Sequence, residues 1–416
     1  MSNEASLPET RGRGRLAALI ISQILAGVGV ASGIAVGGLL AEQLSGTVAL
    51  AGFAQTSSVL GAGLWAIPLA RLAGRRGRRW GLAAGYLLAL AGTGLVFLAA
   101  AVQFVPLLFV GTAAFGAATA AGLQARFAAA EVVSLRYRAR ALSVVMWATT
   151  LGSVAGPNLS EVGSRLGRSL GIEPLTGPYL FSLIAFAGAA VVLSVGLAGR
   201  GPAEVDHDPS RPAQRPTGLV RAIRNGLQDP RTRLAIVAVI CSHTIMVGVM
   251  VMTPLHMTHH GMTLDLVGVV LSIHIFGMYG ASPIMGWLTD RLGGAAVIGI
   301  GVIIFAGALV LGGFADTTSG PIISLALGLL GLGWSAGMIG GSSLLAASVS
   351  DQNRVSLQGG TDALMSLSAA GSSALSGLVM GLAGFPALNL IAAVVAVPMA
   401  VLALRGMLAR RAAADS

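Results

Sequence analysis

Apolar stretches of about 20 residues, each long enough to cross a bilayer, recur from one end of this chain to the other. A water-soluble fold cannot carry that pattern, because its surface needs charge. Here 55% of residues are hydrophobic and only 10% charged, with a mean hydropathy of +0.82. The chain is therefore expected to be an all-α integral membrane protein. Spans are predicted near 16–41, 47–70, 80–102, 104–133, 141–163, 176–199, 233–257, 264–288, 294–315, 318–347, 358–383 and 385–408. Arg11, Arg13 and Arg15 precede the first apolar run and no clear cleavage site follows it, so that run is expected to be retained as a span.

Charge placement predicts the orientation. All 26 basic residues are arginine, and the net charge is +10. In a soluble protein that balance would point to nucleic acid. Here the positions explain it better, and no nucleic-acid partner is expected. With the N-terminus inside, 23 of the arginines fall in cytoplasmic segments, while the outer loops hold only Arg165 and Arg168. Such an imbalance predicts both termini in the cytoplasm of a bacterial-type inner membrane. The one long polar interruption, 200–232, carries Pro202, Pro209, Pro212 and Pro216 and is rich in arginine. It divides the spans six and six, so the expected organisation is an N-terminal half (1–199), a basic linker (200–232) and a C-terminal half (233–416). Residues 218–228 suit a short basic amphipathic helix at the inner membrane surface.

Several function classes are excluded. The chain has no lysine, so it cannot hold a phosphate-binding Gly-x-x-x-x-Gly-Lys loop. No Ser/His/Asp or Cys/His arrangement can be assembled, so neither an ATP-driven pump nor a membrane enzyme is expected, and no cofactor is required. Cys241 is the only cysteine, which rules out a disulfide framework and a Cys-x-x-Cys metal site.

Six plus six spans around a basic central loop resemble the major facilitator superfamily, and local motifs carry the resemblance further. After span eight the chain reads Gly286, Trp287, Leu288, Thr289, Asp290, Arg291, Leu292, Gly293, similar to the family's Gly-x-x-x-Asp-Arg-x-Gly loop. The resemblance implies that Asp290 caps a helix start and pairs with Arg as an inner gate, together with Gly286, Arg291 and Gly293. The equivalent loop after span two is altered. It runs from Ala70 to Arg79 with Gly74 where the Asp is expected. Span five holds Gly152 to Pro157, resembling the family's fifth-span Gly-Pro motif. Glu131, followed by Arg136, Arg138 and Arg140, resembles the end of span four and its basic loop. A family of this kind implies a two-half fold with a substrate site near the membrane midplane.

Soft metal ligands are concentrated in one place. Seven of the 14 Met and five of the six His lie between His243 and Met285. Met246 and Met250 are four residues apart in span seven, and His274 and Met278 four apart in span eight, so each pair shares a helix face. At about 1.5 Å per residue, Met250 and Met246 lie about 11 and 17 Å below the outer end of span seven. His274 and Met278 lie about 15 and 21 Å down span eight on the same rise. Consecutive antiparallel spans are expected to be neighbours, which would put all four in one layer. Thioethers and imidazole without carboxylates suit Cu(I) rather than Mg, Ca or Mn. His243 extends the stripe inward. Met252, His256, Met257, His259, His260 and Met262 form a second group at the outer mouth that would receive an ion.

The two spaced pairs in these spans resemble the CcoA-like copper importers of the superfamily. That resemblance implies copper uptake, with copper as the transported substrate, and supply of haem–copper oxidases of the cbb3 type. Two rivals stand beside it. One is a proton-coupled exporter of a small organic compound, for which a carboxylate must couple. The other is a membrane copper-binding assembly factor that does not transport. Arg126 in span four is either a pathway charge or a snorkelling, gate-pairing residue, and Asp362 in span eleven either pairs with an inner arginine or couples protons. Asn158 and Asn389 are candidates for hydrogen bonding between helices.

Overall fold

The computed structural model describes residues 9–132, 138–198, 219–347 and 351–415. They are helical throughout, with short turns between elements. In chain order the helices are α1 (Glu9–Ser45), α2 (Ala51–Arg76), α3 (Arg78–Val102), α4 (Val105–Phe115), α5 (Ala117–Glu131), α6 (Arg138–Asn158), α7 (Ser160–Ser169), α8 (Pro178–Gly196) and α9 (Leu219–Gly226). They continue with α10 (Pro230–His259), α11 (Leu264–Tyr279), α12 (Ser282–Leu292), α13 (Gly294–Phe314), α14 (Gly320–Ala347) and α15 (Asp351–Asp415).

Among the described residues, ten helical stretches are long and apolar enough to cross a membrane. One of them, Gly360–Leu408, has 49 residues. At ~1.5 Å per residue it is about twice the thickness of a hydrocarbon core. Gly384 (φ 77°, ψ 178°) breaks α15 there and makes two spans. A side chain would be strained at that φ, so glycine is what permits the fold-back. Span five is α6, which falls short on apolarity because it is rich in small polar residues. It stops at Asn158, not at 163 as expected: Pro157 ends the regular ladder, and Ser160–Ser169 turns off as the polar helix α7. In α7 Arg165 and Arg168, expected in an outer loop, lie 3.6 and 3.3 Å from Glu161. Large apolar side chains such as Leu64, Ile303, Phe314 and Leu382 stand more than 70% exposed on the protein surface, as a lipid-facing surface requires.

The chain forms two compact units. The first comprises residues 1–45 and 57–212, the second 46–56 and 213–416. In the first, α1 packs along α6 and α8, and α3 along α4 and α8. A Cβ on Gly152 of α6 would sit 2.1 Å from the Ile24 carbonyl of α1, so only glycine allows this approach. At its centre Gln23 is fully engaged. Its Nε2 donates to the Gly122 carbonyl and to Thr149 Oγ1, both at 3.2 Å, and its Oε1 accepts from the Tyr86 hydroxyl at 3.1 Å.

In the second unit α10 packs on α15 and α14, and α14 also on α11 and α13. The expected pairing of spans seven and eight needs correction: α10 and α11 barely touch, and α14 packs against both. Residues 46–56 join this unit through α15, where Thr56 Oγ1 donates to the Ala370 carbonyl (2.9 Å) and Ser373 Oγ to the Gly52 carbonyl (2.9 Å). Helix α9 falls within the predicted amphipathic segment. Ile223 packs on the cluster of Ala235, Ile236, Leu345 and Leu357, and Arg221 and Arg224 point outward. Asp229 caps α10, accepting from Thr232 N and Oγ1 at 2.7 Å each, and these bonds hold its carboxyl below the usual range.

Candidate metal-passage site

Three of the four proposed ligands meet. Met246 and Met278 are buried in one cluster with Val247 and Ala369, and Met250, Val251 and Trp334 pack against it. They reach it from α10 and from the last turn of α11. Just past Met278 the span is interrupted: Gly280 ends α11 and Pro283 opens α12. Proline lacks the N–H that would continue the ladder, and Ser282 Oγ donates to the Met278 carbonyl at 3.1 Å. Broken helices of this kind line substrate sites in transporters.

His274, one turn before Met278, is completely buried. A close crossing of α11 on α14 puts it there. A Cβ on Gly331 would lie 2.2 Å from the His274 carbonyl, and one on Gly277 would lie 2.6 Å from the Gly328 carbonyl. The crossing sets His274 Nδ1 at 2.8 Å from the Leu327 carbonyl. A carbonyl only accepts, so Nδ1 carries the proton and Nε2 has a bare lone pair. Among the described residues Nε2 has no hydrogen-bond partner. A ring held by a backbone carbonyl through one nitrogen, with the other bare, is the arrangement of metal-ligating histidines. Among the described residues no group of three or more His, Cys, Asp or Glu is placed to hold a metal ion, so any metal here depends on the thioethers.

The remaining predicted residues are placed as follows. His243 Nδ1 accepts from Trp334 Nε1 at 3.1 Å, so that nitrogen is already engaged. In the group predicted at the outer mouth, Met252 and Met257 are wholly buried. His256 shares a 2.8 Å hydrogen bond with Thr317 Oγ1 and stacks on Phe385, centroids 4.3 Å apart. His260 donates through Nδ1 to the His256 carbonyl at 2.8 Å. Asp316, in the turn beside them, accepts from Thr318 N at 3.0 Å and from Thr318 Oγ1. Those bonds, with a smaller pull from His260, hold its carboxyl below the usual range. Much of this outer group therefore ties α10 to its neighbours. His259 and His260 stand exposed and Met262 half-buried.

The gate differs from its expectation. Asp290 is exposed inside α12, and the helix start that follows is capped by Gly293 (φ 85°) without a side-chain bond. Arg291 does not pair with Asp290; its guanidinium lies 4.3 Å from the Trp287 ring centroid. Adjacent helical residues diverge, whereas residues four apart face each other, and that favours Trp287. Gly286 is half-buried beside it. Asp362 is exposed on α15. The side chains of Arg126, Glu131 and Arg138, and the whole of Arg136, lie outside the described residues. Asn389 Nδ2 donates to the Gly312 carbonyl at 3.2 Å and so links α15 to α13, while the Asn158 amide bonds Val154 on its own helix.

Sequence reasoning missed Trp334, Leu327 and the interruption after Met278. A tryptophan ~21 Å into a span, away from the interfacial belts where such rings collect, was a usable signal. So was the Gly280, Ser282, Pro283 run. Nothing local could single out the Leu327 carbonyl.

Comparison with known proteins fits this architecture. The Major Facilitator Superfamily matches residues 17–265 and again 234–415, and the chain belongs to that family of membrane transporters. It is 36% identical over 389 residues to the uncharacterized MFS-type transporter YdeG of Bacillus subtilis, covering 89% of this chain and 86% of that one. It is 29% identical over 412 residues to the riboflavin transporter RfnT of Brucella anthropi, covering 95% and 96%. In fold it is similar to a bacterial homolog of the human lysosomal transporter Spinster (TM-score 0.71, 16% identity, 95% and 97% covered). It is also similar to the nucleoside transporter NupG (TM-score 0.67, 17% identity, 94% and 99% covered).

Proposed function

We propose that this chain imports copper across a bacterial-type cytoplasmic membrane by alternating access, with both termini inside. Met246, Met250, His274 and Met278 ligate Cu(I) in passage. The observation that carries the reading is His274: a buried imidazole oriented by the Leu327 carbonyl, its Nε2 bare, one turn from a methionine in the Met246 cluster. An unpaired buried acceptor costs about 1–3 kcal/mol, and a soft cation in transit relieves that cost. Two or three soft ligands at a time hold the ion without trapping it. A monovalent cation entering the cell gains about 2.3 kcal/mol per 100 mV of membrane potential. On the CcoA-like resemblance, the imported copper supplies assembly of cbb3-type oxidases.

The test is radiocopper uptake in cells lacking the chain, complemented by wild type or by Met246→Leu/His274→Ala at matched membrane abundance. Uptake restored by wild type alone supports the reading. Equal uptake in all strains removes it.

A second reading, transport of a small organic compound, is favoured by the full-length similarity to a protein named as a riboflavin transporter. Labelled riboflavin supplied to the same strains separates the two. Flavin flux with unchanged copper would select the organic substrate and demote the Met/His layer to packing.

A further inference from the structure

Trp334 packs against the cluster holding Met246 and Met278 and, like Met250 and Val251 beside it, is half-buried. Its indole Nε1 donates to His243 Nδ1 at 3.1 Å, and Tyr279 lies against it nearly edge-on, centroids 5.5 Å apart at 71°. Two contacts from two other helices therefore orient the ring. Packing alone does not require them, because a leucine or methionine would fill the space without an N–H to satisfy.

The charge balance of the layer gives the ring a role. Thioethers and a neutral imidazole bring no negative charge, so a Cu(I) ion among them keeps its full positive charge in a low-dielectric setting. The carboxylates of α11 and α12 are distant: Asp265 lies ~14 Å before His274 and Asp290 ~18 Å beyond Met278 along the helix direction. The face of a tryptophan is the strongest neutral π-donor a protein has for a cation within about 6 Å of its centroid.

Resting on the copper reading above, we infer that Trp334 is a further ligand-layer residue, a cation–π face that stabilises and selects a monovalent soft ion between Met246 and Met278. His243 is its positioning residue. With its Nδ1 occupied by the indole N–H, a neutral His243 carries its proton on Nε2. It therefore holds the ring and does not coordinate. Divalent hard ions gain nothing from this layer, since they need oxygen ligands.

The experiment uses the purified full-length chain in detergent with Ag(I), a redox-inert surrogate for Cu(I). Trp65, Trp80, Trp147 and Trp287 are replaced by Phe so that emission reports Trp334 alone. Silver binding is measured separately by equilibrium dialysis on this variant and on wild type, which also shows that the replacements are tolerated. The expected result is saturable binding lost in Met278→Leu, with a matching shift and quenching of Trp334 emission. Trp334→Leu should weaken silver affinity about 3- to 30-fold, and Trp334→Phe, which keeps a π face, less. Silver bound with unchanged emission, and Phe and Leu variants of wild-type affinity, would overturn the cation–π role and leave the copper reading standing. No silver binding by wild type would overturn both. Quenching by riboflavin in that case would assign the ring to stacking on an organic substrate.

Discussion

Gln23 in the first unit and His274 in the second are both polar side chains buried inside a membrane bundle, and they are treated in opposite ways. Gln23 uses both ends of its amide: two donor bonds and one acceptor bond tie α1 to α3, α5 and α6. His274 is satisfied at Nδ1 and bare at Nε2. The first is the arrangement expected of interhelical glue. The second keeps one strong acceptor in reserve, as expected of a group that takes a partner from outside the fold.

The comparison can be broken most severely at the ligands. His274→Ala/Met278→Leu is expected to lower copper accumulation at least about tenfold while protein abundance and thermal midpoint stay near wild type. Unchanged uptake by a well-expressed double variant would place His274 in the same class as Gln23. Next comes Gly331→Val. Its side chain would collide with the His274 carbonyl, push α11 from α14 and break the Leu327 bond. It should cost about 1–3 kcal/mol in stability and also lower silver affinity, read by dialysis. Stability loss without affinity loss would show that orientation of the ring does not matter.

Gln23→Leu tests the other side. Removing its bonds should cost about 1–2 kcal/mol, at roughly 0.6 kcal/mol per bond in a membrane, and lower the unfolding midpoint in detergent. Metal affinity should not change; if it does, the two units are not separable in this way. The smallest effect is at the linker end. Asp229→Ala removes the α10 cap, at a cost of about 0.5–1 kcal/mol. The Asp229 pKa is lowered in the folded protein. Its contribution is therefore present above the ordinary carboxylate pKa and is lost as pH falls through the lower folded value. Unfolding midpoints of wild type and variant should converge in acid, and a constant difference would rule out the charged cap.

Much of the architecture was legible because hydropathy is a local quantity. A twenty-residue apolar run needs no partner to be recognised, and Gly384 broke α15 where a polar-poor stretch too long for one crossing required it. The candidate site was legible only in part. Four-residue spacing put Met246 with Met250 and His274 with Met278 on common faces, and three of those four share a cluster. The step that assumed α10 beside α11 was wrong, because neighbours in sequence need not be neighbours in a bundle. Small residues at Gly277, Gly328 and Gly331 let α14 approach α11 closely, and α14 also lies along α10.

The gate shows the same limit. The motif from Gly286 to Gly293 kept its turn, with Gly293 at φ 85° and its counterpart Gly77 at φ 92°. Local backbone geometry thus survived in the first-unit loop that lacks the acidic residue. The side-chain partner of Arg291 was Trp287 rather than Asp290, a choice made by helix phase.

The sequence by itself determined a multi-span membrane chain and which of its Met and His residues share a helix face, and its loop motifs carried the resemblance to the major facilitator superfamily. The spans and shared faces follow from composition and period along single helices. Only the tertiary structure decided that His274 points one nitrogen at the Leu327 carbonyl and leaves the other bare, and that Trp334 closes on the methionines. Both depend on where a third helix, distant in sequence, presents a backbone oxygen and an indole, and no local pattern encodes that position.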